Sequence, residues 1–134
     1  MSQETVELVR GVYEGWARGD FSRIESFHPD IVFEMVDWPH QTKSEGIEEM
    51  WHTWRATLSA WDDFRAIPTE YVDCGRSVLV LNHIEGSGKE SGAEVSADTA
   101  TVWTVEDGLV TRLALYWDVD RARQAAEGGP WPSP

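Results

Sequence analysis

The sequence predicts an α+β fold in which helices come first and long antiparallel strands follow. Two patterns carry this expectation. Apolar residues recur at helical spacing in the first half of the chain, and β-rich runs separated by turn residues fill the second half. The aliphatic run Val78-Leu79-Val80-Leu81 is far too short to span a membrane.

Residues 4–18 read as the first helix. Val6, Val9, Val12, Tyr13 and Trp16 share one face, with Ser2 or Thr5 available as a cap. Gly19-Asp20 ends it, and Asp20 can cap a short second helix from Phe21 to Phe27. Pro29 disfavours helical geometry at His28, so His28-Pro29-Asp30 reads as a break. The first strand is expected over Ile31–Val36, followed by a loop from Asp37 to Glu45 that carries Trp38-Pro39. Gly46 leads into a third helix whose apolar stripe is Ile47, Met50, Trp51, Trp54, Leu58 and Trp61, with His52 off the stripe.

Further strands are expected over Phe64–Val72, Ser77–Glu85, Ala93–Val105 and Leu109–Asp118. Asp73-Cys74-Gly75-Arg76 is a turn, 86–93 a Gly/Ser-rich loop and Asp107-Gly108 a tight hairpin turn. Asp118 or Asp120 can cap a last short helix that Gly128-Gly129 ends. At 134 residues this makes one domain, 1–128, with a Pro-rich tail at 129–134.

Composition narrows the partners. With 24 acidic against 11 basic residues, the net charge of −13 repels nucleic acid and anionic membranes alike. The lone Cys74 forms no internal disulfide, and the polar, acidic N-terminus is unlike a signal peptide; a cytoplasmic location is the expectation. His28, His40, His52 and His83 lack metal-ligand spacing, and no Gly-rich loop opens a helix after a strand. Neither a metal nor another cofactor is therefore expected.

Strand alternation then places side chains. A two-residue turn at Asp107-Gly108 sets Asp98 opposite Trp117, Ala100 opposite Leu115 and Val102 opposite Leu113. A three-residue turn would substitute Tyr116 for Trp117 and reverse the faces of the last strand. Centring the preceding loop on Lys89-Glu90 sets Leu79 against Ala100, Leu81 against Asp98 and His83 against Ser96, with His83 and Asp98 as diagonal neighbours. The expected interior face is thus Leu79, Leu81, His83, Asp98, Ala100, Val102, Leu113, Leu115 and Trp117. The expected outer face carries Thr99, Thr101, Trp103, Ala114 and Tyr116, and its aromatic residues suggest a homodimer surface.

The strings Glu14-Gly15-Trp16-Ala17-Arg18-Gly19-Asp20, Phe27-His28-Pro29-Asp30-Ile31-Val32-Phe33, Asp62-Asp63-Phe64-Arg65, Val102-Trp103-Thr104-Val105-Glu106-Asp107-Gly108 and Leu115-Tyr116-Trp117-Asp118 resemble the SnoaL-like group. That group belongs to the superfamily shared by ketosteroid isomerase and nuclear transport factor. The resemblance implies a cone-shaped curved sheet closed by helices, a cystatin-like or nuclear-transport-factor-like α+β barrel with an apolar pocket at its mouth. It also implies dimers.

The resemblance does not carry one chemistry. Val12, Met35 and Ala100 stand where the isomerases keep their oxyanion-hole tyrosine, general-base aspartate and oxyanion-hole acid. Ser96-Ala97-Asp98 stands nearest the Arg-x-Asp of the epoxide hydrolases. The cyclases of the group use an acid/base Asp near a His, parts that Asp98 and His83 could fill. The expectation is a cofactor-free acid/base enzyme of cyclase, isomerase, dehydratase or hydratase type, acting on a small apolar molecule. Asp98 and His83 are its expected catalytic pair, and Tyr13, Trp16, Phe33, Met35, Trp38, Trp54, Ala100 and Trp117 its expected pocket. A binding module that only holds an apolar ligand, or a structural dimer, is the alternative.

Overall fold

A computed structural model describes residues 2–17, 26–37, 42–75 and 77–127. Helix α1 (Ser2–Ala17) is followed by strands β1 (Phe27–Met35) and β2 (Thr42–Glu45), then helix α2 (Ile47–Leu58). Strands β3 (Trp61–Asp73), β4 (Ser77–Gly88), β5 (Glu94–Glu106) and β6 (Leu109–Tyr116) lead to helix α3 (Val119–Glu127). The strands form one six-stranded sheet in the order β2-β1-β6-β5-β4-β3. The α+β class and the helix-then-strand order are as the sequence predicts.

The element boundaries differ for local reasons. The first strand begins at Phe27 and runs through Pro29, because β1 bulges against β6 between Phe27 and Val32. A bulge is where a strand tolerates proline, which has no N–H to give to the ladder. Residues 21–25 of the expected second helix lie outside the described residues, as do Trp38, His40 and the C-terminal tail. Thr42–Glu45, expected as loop, pairs antiparallel with β1 as an edge strand. β1 itself runs parallel to β6, so the sheet is not antiparallel throughout. Trp61 leaves the helical stripe and opens β3, since α2 stops at Leu58.

The caps obey charge and geometry. Glu48 and Glu49 occupy the first turn of α2 and Arg55 its last, in line with the helix dipole. Of the two candidates for the last helix, Asp118 is the cap: its Oδ1 accepts the N–H groups of Asp120 at 2.9 Å and Arg121 at 3.4 Å. The Asp107-Gly108 turn forms with φ of 52° and 79°, the left-handed pair that a two-residue hairpin requires.

Each sheet face buries its own apolar cluster. On one, Val78, Val80, Ile84, Trp103, Val110, Leu113 and Leu115 pack with Val9, Val12 and Tyr13 of α1 and Met50 and Trp54 of α2. On the other, Leu79, Ala100, Val102, Ala114 and Tyr116 pack beneath Ala122 of α3.

Registers decide which residues belong to which face, and here the structure corrects the expectation twice. Between β4 and β5 the pairs are Leu79–Val102, Leu81–Ala100 and His83–Asp98, two residues from the expected register. A shift of two preserves faces, so His83 and Asp98 still share one. Between β5 and β6 the turn is the expected two-residue one, with Glu106 opposite Leu109. A bulge between Thr104 and Val105 then slips the register by one, so Trp103 meets Leu113 and Ala100 meets Tyr116. A one-residue slip reverses every later side chain. Leu113 and Leu115 thus join Trp103, while Leu79, Leu81, His83, Asp98, Ala100 and Val102 lie on the opposite face. Thr99, Thr101 and Trp103, expected outside, are buried on the helix-covered side, and Ala114 and Tyr116 are buried on the α3 side. The surface expected to pair two copies is therefore not an open face.

Candidate functional site

A cavity of about 40 Å³ lies between the sheet and the helices α1 and α2. Its wall draws on every strand except the edge strand β2. Phe33 comes from β1; Met50, Trp51 and Trp54 from α2; Phe64 and Ala66 from β3. Asn82 and Ile84 come from β4, Thr99, Thr101 and Trp103 from β5, and Leu113 and Leu115 from β6. Tyr13 of α1 closes one side. Period-two alternation explains the strand contributions: even residues of β4 and odd residues of β5 face inward.

Aromatic rings build most of the wall. Trp54 meets Phe33 and Phe64 edge to face, with ring centroids 6.1 Å apart in both pairs. Tyr13 tilts against Trp103 at 5.5 Å and makes a T-shaped contact with Tyr71 at 6.1 Å, and the Arg10 guanidinium lies over the Tyr71 ring at 4.5 Å. Such contacts add to the hydrophobic burial of each ring.

The polar atoms of the cavity are few and belong together. The Trp103 indole N–H donates to Thr101 Oγ1 at 2.8 Å, and the Tyr13 hydroxyl lies 2.9 Å from the same oxygen. Asn82 is 3% exposed; its amide N–H donates to the Val80 carbonyl at 3.3 Å. Burial pushes the Tyr13 phenol up to about 12, against the hydrogen-bonding influence of Thr101, Asn82 and Trp103. At neutral pH it is a neutral hydroxyl, able to donate a hydrogen bond and unable to act as a base. No Asp, Glu, His, Lys or Arg stands among the described lining residues.

The expected pocket is recovered in part. Tyr13, Phe33 and Trp54 line the cavity. Ala100 borders it along β5, although its methyl packs in the α3-side cluster. Met35 is buried in the same core without reaching the cavity, and Trp117 packs half-buried against that core. The Trp16 side chain and Trp38 lie outside the described residues. Val12, at the isomerase tyrosine's place, is core.

His83 and Asp98 are directly opposed, with His83 Nδ1 3.0 Å from Asp98 Oδ1. Ser96 Oγ lies 3.1 Å from His83 Nε2, and Glu85 Oε2 lies 3.4 Å from it. All four stand on the face away from the cavity. The Asp98 side chain is 82% exposed and that of His83 33%. Asp98 stays in water because β6 ends at Tyr116, opposite Ala100 and short of Asp98. The hydrogen bond that His83 gives to the Asp98 carboxylate raises the His83 pKa; some burial opposes it, and the Asp98 and Glu85 charges add to the rise.

Sequence reasoning missed Asn82, Thr99, Thr101 and Trp103. The one available signal was Asn82, a polar residue directly after the aliphatic run Val78-Leu79-Val80-Leu81. Its parity with Val78 and Val80 would have linked it to a buried face. Among the described residues, no three His, Cys, Asp or Glu side chains are grouped to hold a metal ion, and no helix is long and apolar enough to cross a membrane.

Solved structures share this architecture. An NTF2-like protein of unknown function from Burkholderia pseudomallei is 20% identical, with a TM-score of 0.77 over 88% of this chain and 93% of its own. A candidate SnoaL-like polyketide cyclase from Jannaschia is also 20% identical, with a TM-score of 0.77 over 96% and 95%. A protein of ketosteroid isomerase-like fold from Catenulispora acidiphila, in complex with trimethylamine, is 16% identical, with a TM-score of 0.70 over 92% and 94%. No curated protein matches the chain in sequence. The family model of the SnoaL-like domain matches residues 9–113, and the chain belongs to that family.

Proposed function

We propose that this chain is a receptor for a small, neutral, mostly apolar molecule, held between the helices and the sheet. The observation that carries this reading is the cavity wall: aromatic and aliphatic but for Asn82, Thr99 and Thr101, with Tyr13 its one titratable described residue, kept protonated. Binding sites of this kind are apolar with a few placed polar groups. Acid/base turnover needs a group that gives and takes a proton near neutral pH, and a phenol at about 12 does not. The trimethylamine complex of the Catenulispora protein is consistent with small ligands on this fold.

The test is a thermal-shift titration with small cyclic and aromatic compounds, followed by recovery of the compound. A ligand of the native state raises Tm with concentration, by about 2.7 kcal/mol of stabilisation at 100 times Kd. Its recovery unchanged supports the receptor reading; its conversion to product overturns it. A second reading keeps catalysis and rests on the hydrogen-bonded chain Ser96–His83–Asp98. In that case the reaction runs on the outer face, and Asp98→Asn lowers turnover at least about 100-fold.

A further inference from the structure

One polar side chain on the cavity wall holds a buried acceptor that no donor meets. The Asn82 side chain is almost fully buried, yet its Oδ1 has no hydrogen-bond partner. Its orientation is set by Val80: turning the amide over would place two carbonyl-type oxygens 3.3 Å apart. Asn82 lies on the inward face of β4 between Val80 and Ile84 and is part of the cavity wall. A buried acceptor left without a donor costs free energy, so a donor brought to it gains more than it would in water.

We infer that the ligand presents a hydroxyl or N–H donor to Asn82 Oδ1, and that Asn82 selects neutral apolar molecules with such a group over those without it. This deepens the receptor reading and rests on it. The ligand must be neutral because no charged side chain among the described lining residues would balance an ion, and burying an unpaired charge is far costlier than burying a hydroxyl. The space sets the placing of its parts. In this cavity of about 40 Å³ the polar head meets Asn82, Thr99 and Thr101, and the apolar body lies against Trp51 and Phe64, the half-buried part of the wall. Tyr13, whose hydroxyl meets Thr101 beside Asn82, supplies the second polar contact to the same head. A phenol or a cyclic alcohol meets all of these conditions.

Phenol and toluene form the test pair, being matched in size and differing in the donor. Calorimetric titration of the wild-type protein should give phenol about a tenfold lower Kd than toluene, the worth of one well-made hydrogen bond to a buried acceptor. Asn82→Leu should abolish or reverse that preference, and should raise the Tm of the unliganded protein by a few degrees because it removes the orphan acceptor. Equal affinity for the two compounds in the wild type overturns the inference and leaves the receptor reading standing. Persistence of the phenol preference in Asn82→Leu overturns it too. Binding of neither compound at millimolar concentration removes both readings together. Should Asn82→Leu fail to fold, the wild-type pair of affinities decides alone.

Discussion

Asn82 and His83 are neighbours in sequence and live in different solvents. On the inward side of β4 and β5, Asn82, Thr99 and Thr101 are buried among rings, and their few hydrogen bonds are made within the protein. On the outward side, His83, Asp98, Ser96 and Glu85 form a denser polar cluster in water. The outward cluster looks more like chemistry on paper, because it has the titratable groups. Yet water competes for each of its contacts, and exposed ion pairs contribute little. The inward group has weaker donors and acceptors in a medium where each unmet one is costly. Access of water to one side of the sheet and its exclusion from the other is what separates two residues adjacent in sequence.

Substitutions can break this contrast, the most damaging first. Trp103 is 0% exposed and joins the two strands to Tyr13. Trp103→Ala should cost about 3–5 kcal/mol in urea unfolding, by loss of transfer energy and creation of a cavity. Asp98→Ala should stay within about 0.5 kcal/mol at neutral pH. Comparable losses in the two variants would show that the outer cluster is as structural as the inner one.

The next test uses Tyr13 and pH. Its folded value, about 12, lies above its unfolded value of 10.0, so the unfolded chain releases the proton first. The contribution is intact below pH 10 and fades as pH rises toward 12, by about 2–3 kcal/mol in all. Tyr13→Phe should remove that part of the alkaline fall in stability, read as urea midpoints across this range. An unchanged fall would mean that the phenol is not in a dry site.

The smallest effect is expected on the wet side. The His83 pKa lies above its ordinary value chiefly because Asp98 accepts its hydrogen bond. Its stabilisation is full below about pH 6.5 and is lost as pH rises through the higher folded value. Asp98→Asn should move the His83 titration, followed by NMR, toward lower pH and flatten this weak dependence. A midpoint that stays put would assign the rise to Glu85 instead.

Much of the local structure was legible in the chain. The α1 and α2 stripes, the Asp107-Gly108 turn and the Asp118 cap each follow from a few neighbouring residues, and such signals survive any tertiary arrangement. The pairing of His83 with Asp98 was also within reach, because a register error of two leaves faces unchanged. The sense of the sheet was not. Val78-Leu79-Val80-Leu81 is apolar on both faces, and so are the residues around Leu113, Ala114 and Leu115, because α1 and α2 cover one side and α3 the other. A strand buried on both faces carries no alternation to read. Inward and outward were therefore decided by one bulge at Thr104-Val105, a feature of packing between strands that leaves no mark in local sequence, and with it the exchange of Asp98 for Asn82 at the cavity.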